Sequence, residues 1–213
     1  ALDRDARIKL SIGTKEHGHA DGLFCSPLGL GFDHHRGLLL VVDSSNHRVQ
    51  VFSCDDEDGG SFVSKFGEEG GQPGQLLNPD SIAIDHDHDR VLITDYGNSR
   101  VQSWSLSEQS FLSCIGQYGS GDLEFNNPRG IAIDKHHHRI VIVDTDNDRL
   151  VFLSSIDLSF LFSIGKQGSQ PGEFDWPSGV AIDDDRHRII VVDTLNDRVQ
   201  VLSSIDGSFL FEF

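Results

Sequence analysis

A chain of 213 residues with 17 Lys and Arg against 34 Asp and Glu carries a formal charge of −17, an acidity that opposes binding to phosphate backbones and to anionic membrane surfaces. No run of about 18 apolar residues is present to span a bilayer, and the opening ALDRDARIKLSIG lacks the apolar core of a signal peptide. Cys25, Cys54 and Cys114 form no C-x-x-C pair, which excludes zinc-knuckle and thioredoxin-type motifs and leaves free thiols in a reducing, cytoplasmic setting as the expectation. The lack of any methionine points to a processed product or a piece of something longer.

In chain order the first expected strand is IKLSIG from Ile8, followed by a loop to Pro27 and three more strands, PLGLGFD, LLLVVD and RVQVF. The same unit recurs as FVSKFG, SIAID, RVLITD and RVQSW, then as FLSCIG, RGIAID, RIVIVD and RLVFLS, then as FLFSIG, SGVAID, RIIVVD and RVQVL. The second strands are almost wholly apolar and the third rich in β-branched residues, as expected of strands covered on both faces. Polar turns join them, so each unit reads as a four-stranded antiparallel meander. The units span approximately 7–53, 61–105, 110–154 and 159–203, with 208–213 as one extra strand. Length varies only in the connections, chiefly at Cys54–Gly60 and before Pro27.

Every unit carries D-x-x-N-x-R between its third and fourth strands: Asp43, Asn46 and Arg48; Asp95, Asn98 and Arg100; Asp144, Asn147 and Arg149; Asp193, Asn196 and Arg198. Successive copies lie 52, 49 and 49 residues apart, a fixed period that marks a repeat architecture. A lone four-stranded sheet cannot bury two apolar faces, and twisted units of this kind stack radially, so the expected fold is an all-β propeller. No segment shows a 3.6-residue apolar period over ten or more residues, which excludes helical solenoids. Recurrence in all copies makes the triplet a structural clasp rather than a catalytic group. Asp and Asn form the turn, and Arg returns a charge-assisted hydrogen bond to the Asp.

The combination G-x-x-G…F-x-x-P-x-G-[IV]-A-[IV]-D…R-[IV]-x-[IV]-x-D-[ST]-x-N-x-R resembles the NHL repeat. Phe125–Pro128–Gly130–Ile131–Ala132 and Phe174–Pro177–Gly179–Val180–Ala181 match best; Leu76 and Ser81 depart in the second copy, Ser26 and Gly31 in the first. The resemblance implies a ring usually closed by six blades. Four units and the strand GSFLFEF would then form an arc whose open faces invite self-association, unless the ring is smaller. It also implies a non-enzymatic partner-recognition domain that needs no cofactor and binds a protein or peptide, such as the substrate-recognition part of a larger RING or tripartite-motif ubiquitin ligase. No RING-type Cys/His array occurs in this sequence. Two alternatives come with the resemblance. RNA binding would need a basic face, which the charge opposes. A metal-dependent lyase or lactone hydrolase would need ligands at the central channel, whereas FVSKFG, FLSCIG and FLFSIG, expected innermost, offer only Lys65 and Cys114.

Positions that break the repeat are the better functional candidates. Tyr96 stands where other copies have Ser44, Thr145 and Thr194; Arg129 replaces Leu28, Asp80 and Ser178; Tyr118 and Trp176 occur once each. All four share the end of the long loops and the D-x-x-N-x-R turns. Exposed aromatics with an Arg are the composition of a protein-binding hot spot; the plainer reading is that Tyr118 and Trp176 pack their own loops. Trp104 aligns with Phe52 and Phe152 and is expected in the core. At the opposite end, eight of the eleven histidines lie in the turns between second and third strands. His86, His88, His136 and His138 are candidates for adventitious metal ligation. Because these turns belong to different blades they are not expected to converge, so a solvated, acidic turn face and no metal site is the expectation. The nearby Asp55–Gly60 run adds acidity without the spacing of a calcium loop.

Overall fold

The computed structural model describes residues 11–13, 16–54 and 60–213. Ile8–Leu10 of the first expected strand and residues 55–59 of the acidic run lie outside them. The β-branched runs form four sheets of four antiparallel strands, a β-propeller architecture. Blade 1 holds β1 (Pro27–Asp33), β2 (Leu38–Asp43), β3 (Arg48–Ser53) and β4 (Ser61–Phe66). Blade 2 holds β5 (Ile82–Asp85), β6 (Arg90–Asp95), β7 (Arg100–Ser105) and β8 (Phe111–Ile115). Blade 3 holds β9 (Pro128–Asp134), β10 (Arg139–Asp144), β11 (Arg149–Ser154) and β12 (Phe160–Ile164). Blade 4 holds β13 (Pro177–Asp183), β14 (Arg188–Asp193), β15 (Arg198–Ser203) and β16 (Phe209–Glu212).

The sheets are cut one strand later than the sequence repeat. FVSKFG, which opens the second sequence unit, pairs with β3 from Val49↔Phe66 to Ser53↔Ser61. FLSCIG and FLFSIG close blades 2 and 3 in the same way, and 209–212 is the fourth strand of blade 4 rather than an extra one. Short links make each of these strands the hairpin partner of the strand before it, and the longer loop that follows carries the chain to the next blade. The three segments expected innermost are therefore outermost, and Lys65 and Cys114 lie at the periphery. The strands that meet at the axis are β1, β5, β9 and β13. Their approach is close enough to need glycine: a Cβ at Gly29 would lie 2.8 Å from Ser81 Cα, and one at Gly130 2.9 Å from the Ser178 carbonyl.

Three apolar cores fill the spaces between successive blades. Leu40, Val42 and Val51 meet Val91, Ile93 and Trp104 between blades 1 and 2; Leu92 and Val101 meet Ile140, Ile142 and Phe125 between blades 2 and 3; Val141 and Phe152 meet Ile189, Val191 and Phe174 between blades 3 and 4. Trp104 is in the core, as the alignment with Phe52 predicts. Strand alternation turns the other face of each terminal blade outward. Leu30 and Phe32 of β1 are 65% and 53% exposed, and Val192 and Phe211 of blade 4 are 42% and 40% exposed. Among the described residues no core joins blade 4 to blade 1. No helix among them is long and apolar enough to cross a membrane.

An Asp and an Arg five residues apart fasten one end of every sheet and the other end of blades 2 and 3. At one end Asp95, wholly buried, accepts from Asn98, from Arg100 Nε at 2.7 Å, from Gln102, and from the backbone N–H of Leu77. The rest of the Arg100 guanidinium donates to the carbonyls of Gly71, Gln72 and Gln75, so the clasp grips the loop leading into its own blade. Asp43–Arg48, Asp144–Arg149 and Asp193–Arg198 repeat the arrangement. Blade 3 has Val151 where the others have a Gln donor, and burial pushes the Asp144 carboxyl up despite its remaining hydrogen bonds. At the other end Arg90 pairs with Asp85 and Arg139 with Asp134. These two arginines also donate to Ser155 and Ser204 carbonyls one blade further on.

Candidate functional site

Trp176 sits in left-handed backbone, φ 54°. Its equivalents Ser26, Asn78 and Asn127 have φ of 52°, 47° and 54°, and small polar residues tolerate that region far better than a bulky one. An indole there stores about 1–2 kcal/mol of strain. Two carboxylates of the blade 3 clasp turn hold it: Asp148 accepts its backbone N–H at 2.7 Å, and Asp146 accepts its indole N–H at 2.8 Å. So held, the ring lies against the Arg129 guanidinium, Cζ 4.3 Å from the ring centroid. Tyr96, from blade 2, brings a second ring to 5.1 Å. Each such cation–π contact is worth about 0.5–2 kcal/mol, depending on desolvation.

Arg129 stands on β9 beside the axis. Its carbonyl accepts from Thr94 Oγ1 at 2.6 Å, and its Nε is buried without a hydrogen-bond partner. The cleft it borders is lined by Leu28, Gly130 and Ser178 from β1, β9 and β13 and by Asp80 and Ser81 just before β5, and a second concavity on the same side reaches Ser45, Asn78 and Tyr96. Burial pushes the Asp80 carboxyl up, and the positive charge of Arg129 partly offsets this. Burial also pushes Asp148 up, against the Trp176 N–H, with Asp175, Asp146 and Asp193 adding like charge. The arrangement is one cation among aromatic rings, set in an acidic surround.

The four sequence candidates therefore divide. Tyr96, Arg129 and Trp176 come together from three different blades, whereas Tyr118 is 73% exposed and stands apart on its own loop. Sequence reasoning passed over Asp80, Asp146 and Asp148. Asp80 occupies the position of Arg129 one blade earlier, a swap of charge that marks the inner ring of positions as variable.

At the opposite end the turns of neighbouring blades do converge, contrary to expectation. His34 and His35 meet His86, and His136 and His137 meet His187, with the ligand nitrogens of each group within 4.8 Å of one another. The physical reason is that these turns follow the inner strands, where the blades crowd together. Of the residues named as ligand candidates, His86 and His136 belong to the groups. His88 instead bonds Asp85 at 2.9 Å, and the His138 carbonyl accepts from Ser155. Burial pushes the His86 imidazole down, against the charge of Asp33.

Residues 32–117 and 131–212 match a family described as 6-bladed beta-propeller. Over 80 residues, 38% of this chain, the sequence is 31% identical to Protein brain tumor of Drosophila melanogaster, a stretch that is 7% of that protein. Over 50 residues, 24% of this chain, it is 44% identical to Protein lin-41 of Caenorhabditis elegans, 4% of that protein. Both are NHL-repeat proteins, so the likeness to that group is partial and distant. The Kuenenia stuttgartiensis hydrazine synthase superposes with a TM-score of 0.66 at 12% identity, covering 92% of this chain and 51% of the other, a likeness of fold alone. The match extends over all four sheets and the clasps that fasten them, and the chain belongs to the 6-bladed beta-propeller family.

Proposed function

We propose that this propeller is a non-enzymatic scaffold that binds a protein or peptide segment at the end bearing Tyr96, Arg129 and Trp176. The observation that carries the reading is Trp176. Three copies of the same turn fold with Ser or Asn in left-handed backbone, so folding does not call for an indole there, and strain retained in a single copy is a mark of function. Trp, Tyr and Arg are also the residue types that dominate binding hot spots. The Arg129 guanidinium beside Trp176 and Tyr96 suits a carbonyl or carboxylate of the partner, and Asp146, Asp148 and Asp175 favour basic residues flanking it. A nucleic-acid partner is disfavoured by the charge of −17. Leu28, Asp80, Arg129 and Ser178 line the cleft, a set with one carboxylate that gives a metal-dependent enzyme little to work with.

The matched stretches are 7% and 4% of their relatives' lengths, which leaves room for this propeller to serve as the recognition part of a larger cytoplasmic protein, of the RING or tripartite-motif ligase kind. Selection from a displayed random-peptide library tests the binding itself. Enriched peptides should lose binding to Arg129→Ala and Trp176→Ala while keeping it for Tyr118→Ala. Peptides that bind all three variants alike, or no enrichment at all, would sink the reading.

A further inference from the structure

We infer that His136, His137 and His187 form a three-imidazole site for a divalent transition metal, Zn²⁺ in the first instance, that staples blade 3 to blade 4 at the end opposite the proposed binding cleft. Three features of the group go beyond the presence of histidines in polar turns. First, the ligands come from two blades. His136 and His137 lie between β9 and β10, His187 between β13 and β14, and their rings approach with centroids 4.7 Å apart for His136 and His187 and 6.0 Å for His137 and His187. Their ligand nitrogens already lie within 4.8 Å of one another. Tetrahedral Zn–N bonds of about 2.0–2.1 Å put such nitrogens roughly 3.3 Å apart, so closure asks about 1.5 Å of side-chain movement in turns.

Second, one ligand is already oriented. His137 Nδ1 lies 3.0 Å from both carboxylate oxygens of Asp134, a residue that is wholly buried and also bound by Arg139. Nδ1–H donating to that carboxylate leaves Nε2 as the free lone pair, the carboxylate–histidine arrangement that fixes tautomer and raises basicity at metal centres. Third, Nδ1 of His187 is buried with no hydrogen-bond partner, an unsatisfied polar atom in a turn that otherwise keeps its bonds. Imidazoles in this number suit Zn²⁺, Ni²⁺ and Cu²⁺ and discriminate against Mg²⁺ and Ca²⁺. Three protein ligands leave the fourth position to water. His34, His35 and His86 form a counterpart between blades 1 and 2, but His86 Nδ1 stands 3.8 Å from Asp33, beyond a hydrogen bond, so that group lacks the buried orienting carboxylate.

The test uses the full chain carrying His34→Ala, His35→Ala and His86→Ala, which removes the counterpart group. Titration calorimetry with Zn²⁺ at pH 7.5 should show one saturable equivalent, and Co²⁺ in its place should give the visible bands of a tetrahedral ion. His136→Ala, His137→Ala and His187→Gln should each weaken Zn²⁺ binding at least tenfold, since each removes one of the three ligand nitrogens. Zn²⁺ should raise the thermal midpoint of the parent chain and leave that of His187→Gln unmoved, which separates a cross-blade staple from binding to one turn. No saturable binding below about 1 mM would overturn the inference. So would an affinity that the His136→Ala and His187→Gln variants, verified as folded by circular dichroism, leave unchanged.

Discussion

Arg100→Ala should destabilise blade 2 by about 3 kcal/mol, the low end of the 3–5 kcal/mol lost when one partner of a buried ion pair is removed. The side chain is 9% exposed and donates to Asp95 and to three loop carbonyls. Asp95, fully buried, would keep Asn98, Gln102 and the Leu77 N–H but lose the countercharge of Arg100. The freed carbonyls of Gly71, Gln72 and Gln75 can turn to water, which is why the low end applies. Arg100→Lys restores the charge but not the fork, and should recover about half of the loss. Urea unfolding read through Trp104, buried between blades 1 and 2, reports the change where it arises. Hydrogen exchange of the 71–76 amides should accelerate in step, because an array can loosen locally without global unfolding. A cost below about 1 kcal/mol for Ala, or full recovery by Lys, would show that the guanidinium fork is not what holds the loop.

Trp176→Asn adopts the residue found at Asn78 and Asn127 and should leave stability within about 1 kcal/mol, strain relief offsetting the lost ring contact with Arg129; a cost of more than twice that would mean the indole is there for folding. Gly116→Ala should cost about 2–3 kcal/mol by urea denaturation, since its φ is 102° and a Cβ would overlap the buried Phe125 ring. A shift under about 1 kcal/mol would count against so rigid a fit. The Glu124 carboxylate is held below its ordinary 4.5 by the N–H of Gly121, the Gln117 amide and the N–H of Ser120. A lowered folded pKa means its contribution is present above 4.5 and lost as pH falls through the folded value. The Gly121 amide should therefore titrate by NMR with a midpoint below 4.5, and Glu124→Gln should abolish that step, whereas a midpoint at or above 4.5 would refute it. Phe32→Lys and Val192→Lys, on the two outward blade faces, should each lower the sedimentation coefficient at micromolar concentration if those faces pair with a second copy; a wild-type chain monomeric throughout would end that expectation.

Much of the fold was legible because the repeat prints it. The strands, the turns and the Asp–Asn–Arg clasp follow from four aligned copies, and the predicted Arg-to-Asp bond is present in each. The blade boundary was not legible, because a period fixes the length of the unit but not where the sheet is cut; hairpin links decide that, and they place FLSCIG with the strand before it. This same offset concealed which strands face the axis, and with it the importance of Asp80. The second clasp could have been found. Asp85 to Arg90 and Asp134 to Arg139 keep the five-residue spacing of Asp95 to Arg100, and a search for that interval finds both pairs. Meeting of the histidines was not legible from hairpin geometry in one blade, since it depends on how closely the inner strands of two blades approach.

The two ends of the propeller are built on different logic, and the difference bears on where each function is proposed. At the clasp end the invariant residues serve their own blade: Arg48, Arg100, Arg149 and Arg198 each grip the loop that leads into it. Bonds to the next blade are made there by variable positions, His47 to the Asn78 N–H and Asp148 to the Trp176 N–H. Variation at that end therefore retunes the surface without undoing a blade, as a recognition face requires. At the other end the recurring arginines themselves cross over, Arg90 and Arg139 donating to carbonyls one blade further on. Arg188, their counterpart in blade 4, has Phe211 under its guanidinium at 5.3 Å instead. The cross-blade bonds made by recurring residues thus lie at the end where the imidazoles also gather, so a metal bridging His136, His137 and His187 would reinforce an interface already held by Arg139, and would do so without touching the cleft around Arg129.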